Sequence, residues 1–411
     1  MSGTDHPITL VVLPRFPSER TGTGQRSRLL MEGAHAVGPV HVVVLDGARA
    51  MPDPADVMPG LASMAAFDSD RVTPRRGLAR ILGGAVRVLQ PARSYGVEPA
   101  LHANLTDHIA RHSVDTVIFR YARLYCAAGI EAGQGLRVFV DVDDRDDQKY
   151  ATLLNGALGS KLAAAAPFRA RLAHLATLLQ TRLARASAVW FAAPEDIWPL
   201  APARTALLPN VPYWPKPKGI VPPSGTDEVL LFVGIHDHQP NRDGIRWFLD
   251  QVWPDIVAAR PAARIRIIGR GKWSAMQATY AQHKGVDFVG EVADLAAEYA
   301  QARLAICPVR QGGGSKIKVI EAAAFGRPVV AVPHALRGFA GLDGTSGAIA
   351  ADRAPDFAAA CCAWLADPAA AAQAGQELSA WQSDHYSREA FVDHVATALA
   401  PPSAPASRSA P

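Results

Sequence analysis

Pro209, Pro212, Pro215, Pro217, Pro222 and Pro223 crowd into residues 208–224 and divide the chain in two. A stretch so poor in N–H donors and so fixed in φ cannot be a helix or an internal strand. On either side of it, short apolar runs alternate with helical stretches. Strand-like runs precede it at 8–13, 40–45, 116–119, 138–142 and 188–191, with helical spacing at 26–36 and 162–186. They resume at 229–233, 265–268, 287–289, 304–308 and 329–332, with helices at 243–257, 293–302, 317–325, 355–366 and 388–399. This alternation spells βαβ units and therefore parallel sheets. The predicted fold is α/β, with two doubly wound, Rossmann-like domains. The spans are 1–212 for the first domain, 213–228 for the linker and 229–377 for the second domain. A terminal helix at 378–400 and a disordered Pro/Ser/Ala tail at 401–411 follow. A chain of 411 residues suits two domains of about 200 residues each. Ligands of such folds bind at the carboxyl ends of the strands, so the site is expected in the cleft between the domains.

Composition narrows the function classes. A formal charge of +4 over this length gives no case for nucleic acid. No run approaches the ~20 apolar residues that span a bilayer, and the N-terminus lacks a signal-peptide pattern. Cys126, Cys307, Cys361 and Cys362 contain no CxxC pair, which fits a reducing, cytoplasmic setting. One stretch qualifies this. Arg71, Arg75, Arg76, Arg80, Arg87 and Arg93 alternate with Leu78, Ile81, Leu82, Val86, Val88 and Leu89. Residues 71–93 read either as a helix lying on an anionic membrane surface or as an ordinary helix with a solvated arginine face.

The chemistry concentrates after the run at 304–308. Gly312, Gly313 and Gly314 let a backbone approach a ligand closely, and Ser315 is the expected N-cap of a helix starting near Lys316. The unpaired amides and partial positive charge of a helix start suit a diphosphate. Lys316 and Lys318 in the first turn oppose the helix dipole by a few tenths of a kcal/mol each. That placement is understandable if an anion occupies the space they face. Glu321 projects from the same face as Lys318 and suits vicinal ribose hydroxyls. The plainer reading is a tight turn followed by a solvated Lys318–Glu321 pair. Asp141, Asp143, Asp144, Asp146 and Asp147 form the densest acidic cluster. It reads either as ligands for a hard cation or as strand-end and helix-start acids lining the cleft, and the second reading is adopted, with no metal expected. His236 and His238 lack a third ligand at useful spacing. Trp247, Trp253 and Trp364 sit at helical positions and read as core.

The segment GGGSKIKVIEAAAFGRPVVAV resembles the donor-site signature of GT-B glycosyltransferases, in particular the large retaining family four. LLFVGIHDHQPNRDGIRWFLDQVWP, RIRIIGRGK and VDFVGEVADLAAEYAQARLAICPV continue the resemblance in family order. RFPSERTGTGQRSRLL and ALLPNVPYW extend it more loosely into the first domain. The resemblance implies the GT-B fold, with the last helix returning to the N-terminal domain. It also implies a glycosyl transfer from a nucleoside-diphosphate sugar to an acceptor hydroxyl, with retention and without metal or other cofactor. Cell-surface polysaccharide or glycolipid synthesis is the implied setting, with a saccharide or lipid-linked acceptor.

Residue by residue, the resemblance assigns donor binding to Gly234, Arg270, Gly312, Gly313, Gly314, Ser315, Lys316, Lys318 and Glu321. The base is placed near residues 290–292, with a UDP- or GDP-linked donor. Asp143, Asp144 and Lys318 are the implied catalytic residues. Gly22, Gly24 and Arg26 in the first loop, with Arg120, are assigned to the acceptor side. Two departures stand out. The first carboxylate of the family's Glu-x7-Glu pair falls at Gly313, and the loop at 234–241 lacks the family's Arg and Lys, although Arg242 follows. Two other readings keep the same fold: a nucleotide-sugar isomerase of the 2-epimerase type, and a catalytically silent scaffold.

Overall fold

A computed structural model describes residues 6–19, 21–46, 51–69, 89–133, 135–143, 145–159, 163–198, 204–213 and 227–401. The chain forms two compact units. Unit 1 gathers residues 1–191, 197–208 and 389–411, and unit 2 gathers 192–196 and 209–388.

Unit 1 is built on β1 (Thr9–Leu13), α1 (Gly22–His35), β2 (Val40–Val44), β3 (Ser63–Ala66), α2 (Pro99–Arg111), β4 (Thr116–Arg120) and α3 (Ala122–Ala128). It continues with β5 (Arg137–Asp143), α4 (Asp146–Leu158), α5 (Ala166–Leu183), β6 (Ala188–Phe191) and β7 (Thr205–Leu207). The strands form one seven-stranded sheet in the order β3-β2-β1-β4-β5-β6-β7, and its pairings are parallel. β1 and β2 are buried along their whole length. This is why both read as unbroken apolar runs rather than alternating ones. Leu10, Val12, Val43, Leu101, Leu105, Phe119, Val140 and Leu179 belong to the core on one face.

Unit 2 repeats the plan with β8 (Val229–Val233), α6 (Gln239–Trp247), α7 (Trp253–Ala259), β9 (Arg264–Ile268), β10 (Val286–Gly290), α8 (Leu295–Gln301) and β11 (Leu304–Cys307). It ends with α9 (Ile317–Ala324), β12 (Val329–Ala331), β13 (Ala348–Ala350), α10 (Ala354–Ala366) and α11 (Pro368–His385). Its six strands run β10-β9-β8-β11-β12-β13. The helix expected at 243–257 begins earlier, at Gln239. It is interrupted by a π-helical stretch at Phe248–Val252, so α6 and α7 are separate segments. The last helix, α12 (Arg388–Leu399), has Glu389 onward grouped with unit 1, where Phe391, Val395 and Leu399 are buried.

Trp253 and Trp364 are core residues as expected, and Trp247 packs edge-on against Phe357. The four cysteines are free thiols. Among the described residues, no helix is long and apolar enough to cross a membrane. The arginine-rich stretch expected to touch a membrane lies outside the described residues from 71 to 88; Arg93 falls in a short 3-10 helix, Pro91–Tyr95.

Candidate active site

In a doubly wound sheet, the loops of two adjacent strands splay apart where the strand order reverses, leaving a crevice at their carboxyl ends. In unit 2 that reversal lies between β8 and β11. The loop after β8 carries Gly234 to His238, and the loop after β11 carries Gly312 to Lys316. Hydrogen bonds join the segments that follow: the Lys318 ammonium on α9 donates to Asn241 Oδ1 on α6 at 2.6 Å, and Gln311 Nε2 donates to Asp243 at 3.1 Å. Asn241 is held in turn by its own Nδ2, which donates to the Ile235 carbonyl at 2.9 Å. Lys318 Nζ also stands 4.6 Å from the centre of the Phe232 ring. Burial pulls its pKa down to about 8, with Lys316 pushing the same way and Cys307 and Glu321 opposing.

The glycine loop has a shape only glycine adopts readily: φ is +100° at Gly312 and +62° at Gly314. Its carbonyls converge on one cation. Lys316 Nζ donates to the Gly312, Gly313 and Gly314 oxygens at 3.3, 2.7 and 3.0 Å, and His334 Nε2 donates to Gly312 O at 2.8 Å. Lys316 is buried, so its ammonium fixes the loop from within rather than projecting toward a ligand. It is also the N-cap residue, and α9 starts without a side-chain cap. Ser315 was expected there. Instead its hydroxyl accepts from Asn210 Nδ2 at 2.9 Å, because the chain turns into the helix one residue later. An uncapped helix start beside a glycine loop presents amides to an anion.

Glu321 lies on the next turn of α9. It makes no close ion pair with Lys318. It accepts from the Tyr299 hydroxyl at 3.3 Å, and Tyr299 stacks on Phe325 with ring centroids 4.5 Å apart. Burial raises the Glu321 pKa to about 7, against the Tyr299 hydrogen bond and the Lys318 charge. The solvated Lys–Glu pair is thus replaced by two separately anchored side chains. Arg270 is exposed on the loop after β9, and its carbonyl accepts from the His236 amide at 2.9 Å. Arg242 donates to the His236 carbonyl at 2.8 Å. Gly290, where the base was expected, ends β10 at φ +84° with no atom within 4 Å of the space a Cβ would take.

Unit 1 has its own polar cluster at the carboxyl ends of β4 and β5. Asp141 is fully buried between two arginines. Arg26 contacts it through Nε at 3.0 Å and Nη2 at 2.7 Å, and Arg120 Nη1 lies 2.9 Å from Oδ2. Arg120 Nη2 also donates to Asp143 at 2.7 Å. Burial works against the Asp143 charge, but Arg120 and Arg26 outweigh it and hold the carboxyl well below the usual range. Both strands end in left-handed backbone, with φ +79° at Tyr121 and +54° at Asp143. Such conformations cost about 1–3 kcal/mol each and concentrate at functional sites. Asp146 pairs with Lys149, and Asp147 with Arg145, so these described acids meet basic side chains. Asp144 lies outside the described residues.

The first loop packs on α1 at Gly24, where an added Cβ would stand 2.0 Å from the Ser18 carbonyl oxygen. Thr21 caps α1 by accepting from the Gly24 amide at 3.2 Å, and Gly22 is the exposed first residue of the helix. Gly24 and Arg26 are therefore brought to the edge that carries Arg120 and Asp143. Arg26 and Arg120 are spent on buried carboxylates. Sequence reasoning does not find Asn241, Asn210, Tyr299 or His334 as site residues. The one signal for Asn241 is its place in the first turn of α6, the helix that follows β8.

Residues 227–367 match the family model described as "Glycosyl transferases group 1". No curated protein matches the chain in sequence. Among solved structures, the chain is similar to sucrose-phosphate synthase from Thermosynechococcus elongatus. The TM-score is 0.66 at 18% identity, covering 96% of this chain and 98% of that one. HepE of Anabaena, solved in complex with UDP-glucose, aligns with a TM-score of 0.62 at 12% identity over 95% and 99% of the two chains. WaaG, described as a glycosyltransferase involved in lipopolysaccharide biosynthesis, aligns at 0.58 and 16% over 94% and 99%. The fold of these neighbours is GT-B, as the sequence resemblance implied, and so is that of this chain.

Proposed function

Because the chain has the GT-B fold and carries a group 1 glycosyltransferase domain, we propose that it moves a glycosyl group from a nucleoside-diphosphate sugar to an acceptor hydroxyl, with retention. The observation that carries this reading is the junction at the β8/β11 switch point. There a glycine loop shaped by Lys316, an uncapped helix start and the Lys318 ammonium gather within one crevice. Backbone amides and Lys318 would take the diphosphate, and Glu321 the ribose hydroxyls. As the bond from the anomeric carbon to the diphosphate breaks, negative charge grows on the leaving oxygen. Fixed donors already aimed there stabilise it without reorganisation. The acceptor oxygen then bonds to the anomeric carbon from the face the diphosphate leaves, and its proton passes to a leaving-phosphate oxygen. Lys318 and the amides supply the positive charge, so this transfer needs no metal.

A UDP-linked donor is the first to test, because HepE was solved with UDP-glucose. Asp143 is proposed to line the acceptor side, its backbone strained and its carboxylate held ionised by Arg120. The acceptor is proposed to be a saccharide or a lipid-linked saccharide. The proposed setting is the cytoplasm or its membrane face.

The test is a thermal-shift screen with UDP-, GDP- and dTDP-sugars, followed by turnover on a panel of saccharide acceptors. One donor class should raise the melting temperature, since a ligand that binds only the folded state stabilises it. Lys318→Ala and Glu321→Ala should each weaken binding of that donor at least tenfold. Wild-type binding and turnover in both variants would overturn the site. Epimerised donor in the absence of acceptor would replace transfer by isomerisation, and binding without turnover on any acceptor would point to a silent scaffold.

A further inference from the structure

At the other edge of the unit 1 sheet, where the strands begin, three imidazoles meet. His41 is the second residue of β2. His108 lies in the last turn of α2, and His112 is the C-cap of that helix. Their ligand nitrogens all lie within 4.8 Å of one another. The His41 and His108 rings each stand 4.4 Å from the His112 ring, centre to centre. The local sequence explains the meeting. His41 shares a strand face with Val43, two residues on. Leu101, Leu105, His108 and His112 fall on one stripe of α2 at three- and four-residue spacing. Val43, Leu101 and Leu105 are core partners, so the same packing that joins strand to helix carries the histidines together.

Two features go beyond packing. His108 is buried, and its Nε2 has no hydrogen-bond partner. An orphaned buried nitrogen of this kind costs about 1–3 kcal/mol. In addition, His41 Nδ1 lies 2.7 Å from Ser63 Oγ on the paired strand β3. A ring nitrogen engaged in this way leaves the other one oriented for a ligand, as in metal sites generally. The nearby charges do not compete: Arg111 is ion-paired to Asp107 on the exposed side of α2.

We propose that His41, His108 and His112 form a structural site for a first-row transition ion of the zinc type, with water as the fourth ligand. Two histidines four residues apart on a helix plus a third from a strand make a three-imidazole set, and imidazole selects zinc, nickel, copper and cobalt over magnesium or calcium. A tetrahedral ion with bonds of about 2.0–2.1 Å draws the nitrogens to within about 3.4 Å of each other. Small side-chain rotations accomplish that closure. His112 is partly exposed and gives the ion and its water access from solvent. The bound ion ties β2, β3 and α2 together, at the edge of the sheet opposite to the Arg120–Asp143 cluster.

The test uses the full-length, tag-free chain stripped with a chelator. Equilibrium dialysis against Zn²⁺, with metal analysis of the protein, should give one ion per chain at submicromolar affinity. Zinc should also raise the melting temperature, and Co²⁺ should produce the absorption bands of a tetrahedral nitrogen-ligated ion. His112→Gln, at a partly exposed position, should lower affinity at least tenfold and remove the thermal shift. Ser63→Ala should weaken binding about tenfold, in the range seen for residues that orient metal ligands. If His108→Gln fails to fold, His112→Gln with its fold verified by circular dichroism decides the matter. Binding weaker than micromolar in the wild type, or unchanged zinc affinity in a folded His112→Gln protein, overturns the proposal.

Discussion

Two side chains in the α9 crevice sit at pKa values far from their ordinary ones, and this has a measurable cost. Glu321 titrates near 7 in the folded chain against an ordinary value of 4.5. A raised carboxyl pKa contributes stability that is fully present below the unfolded value and is lost as pH rises through the folded one. Lys318, lowered to about 8 from 10.5, contributes stability present above the unfolded value and lost as pH falls through the folded one. Around pH 7.5 the fold therefore carries nearly the full penalty of both charges. Glu321→Gln should lose less stability than wild type between pH 5 and pH 7.5, measured as urea midpoints. An equal loss would place the shift elsewhere. Lys318 also predicts weaker donor binding above pH 8, where the ammonium deprotonates before the diphosphate arrives. At Asp141 the stakes differ, because removing the carboxylate takes the buried counter-charge from Arg26 and leaves Arg120 with Asp143 alone. Asp141→Ala should cost about 3–5 kcal/mol, the range for breaking a buried ion pair, in equilibrium unfolding of the full chain. The lysines and Glu321 were legible because a glycine run and helical spacing sit side by side in sequence. Asn241 was not, since it reaches Lys318 across 77 positions, and the histidines of β2 and α2 were hidden by the same kind of separation.

At the scale of elements, the buried central strands announced themselves. β1, β2 and β8 are rich in Val and Leu, as strands covered on both faces must be. The edge strands β3 and β13 did not. Ser63–Ala66 and Ala348–Ala350 are short and Ala-rich, so their local preference is not for strand, and pairing with β2 and β12 decides the outcome. Helix α11, dense in alanine, was missed for want of an apolar period, while Asp367 caps it by accepting from Ala369 and Ala370. The unexpected break between α6 and α7 is a π-helical stretch, and such stretches occur where a helix accommodates one extra residue. The loop-to-α1 contact yields a direct prediction. Gly24→Ala puts a Cβ where the Ser18 carbonyl oxygen stands, so the first loop has to move. Transfer should fall at least tenfold, while the donor-induced thermal shift stays at the wild-type value, because the residues proposed to bind the donor all belong to unit 2. Loss of the shift as well would tie the first loop to donor binding.

Across the whole molecule, the reading of two α/β sheets from alternating periodicity was sufficient for the architecture, because each sheet obeys the same strand–helix–strand rule. The return of the last helix to unit 1 was implied by the family resemblance, and no local pattern encodes it. Unit 1 includes α12, whose Phe391 ring lies 5.2 Å from the Arg26 guanidinium. The carbonyl of Ala400, just past α12, accepts from Arg137 at 3.1 Å. Truncation after Arg388 should therefore loosen unit 1 selectively. In hydrogen exchange, amides of α1 should lose protection, while those around α9 keep their donor-dependent protection. This interleaving also sets an order for birth on the ribosome. The β1–β7 sheet and α1 are translated first, but α12 cannot pack on α1 until residues 209–388 have emerged. At about 5–20 residues per second that delay is roughly 10–40 s. The later-made unit holds all of its own chain except the short stretch at 192–196, which is already waiting, so it can finish folding ahead of the earlier one. The nascent unit meanwhile leaves the side of α1 that carries Arg26 and Gly33 open to chaperones until Phe391 and Val395 of the final helix arrive.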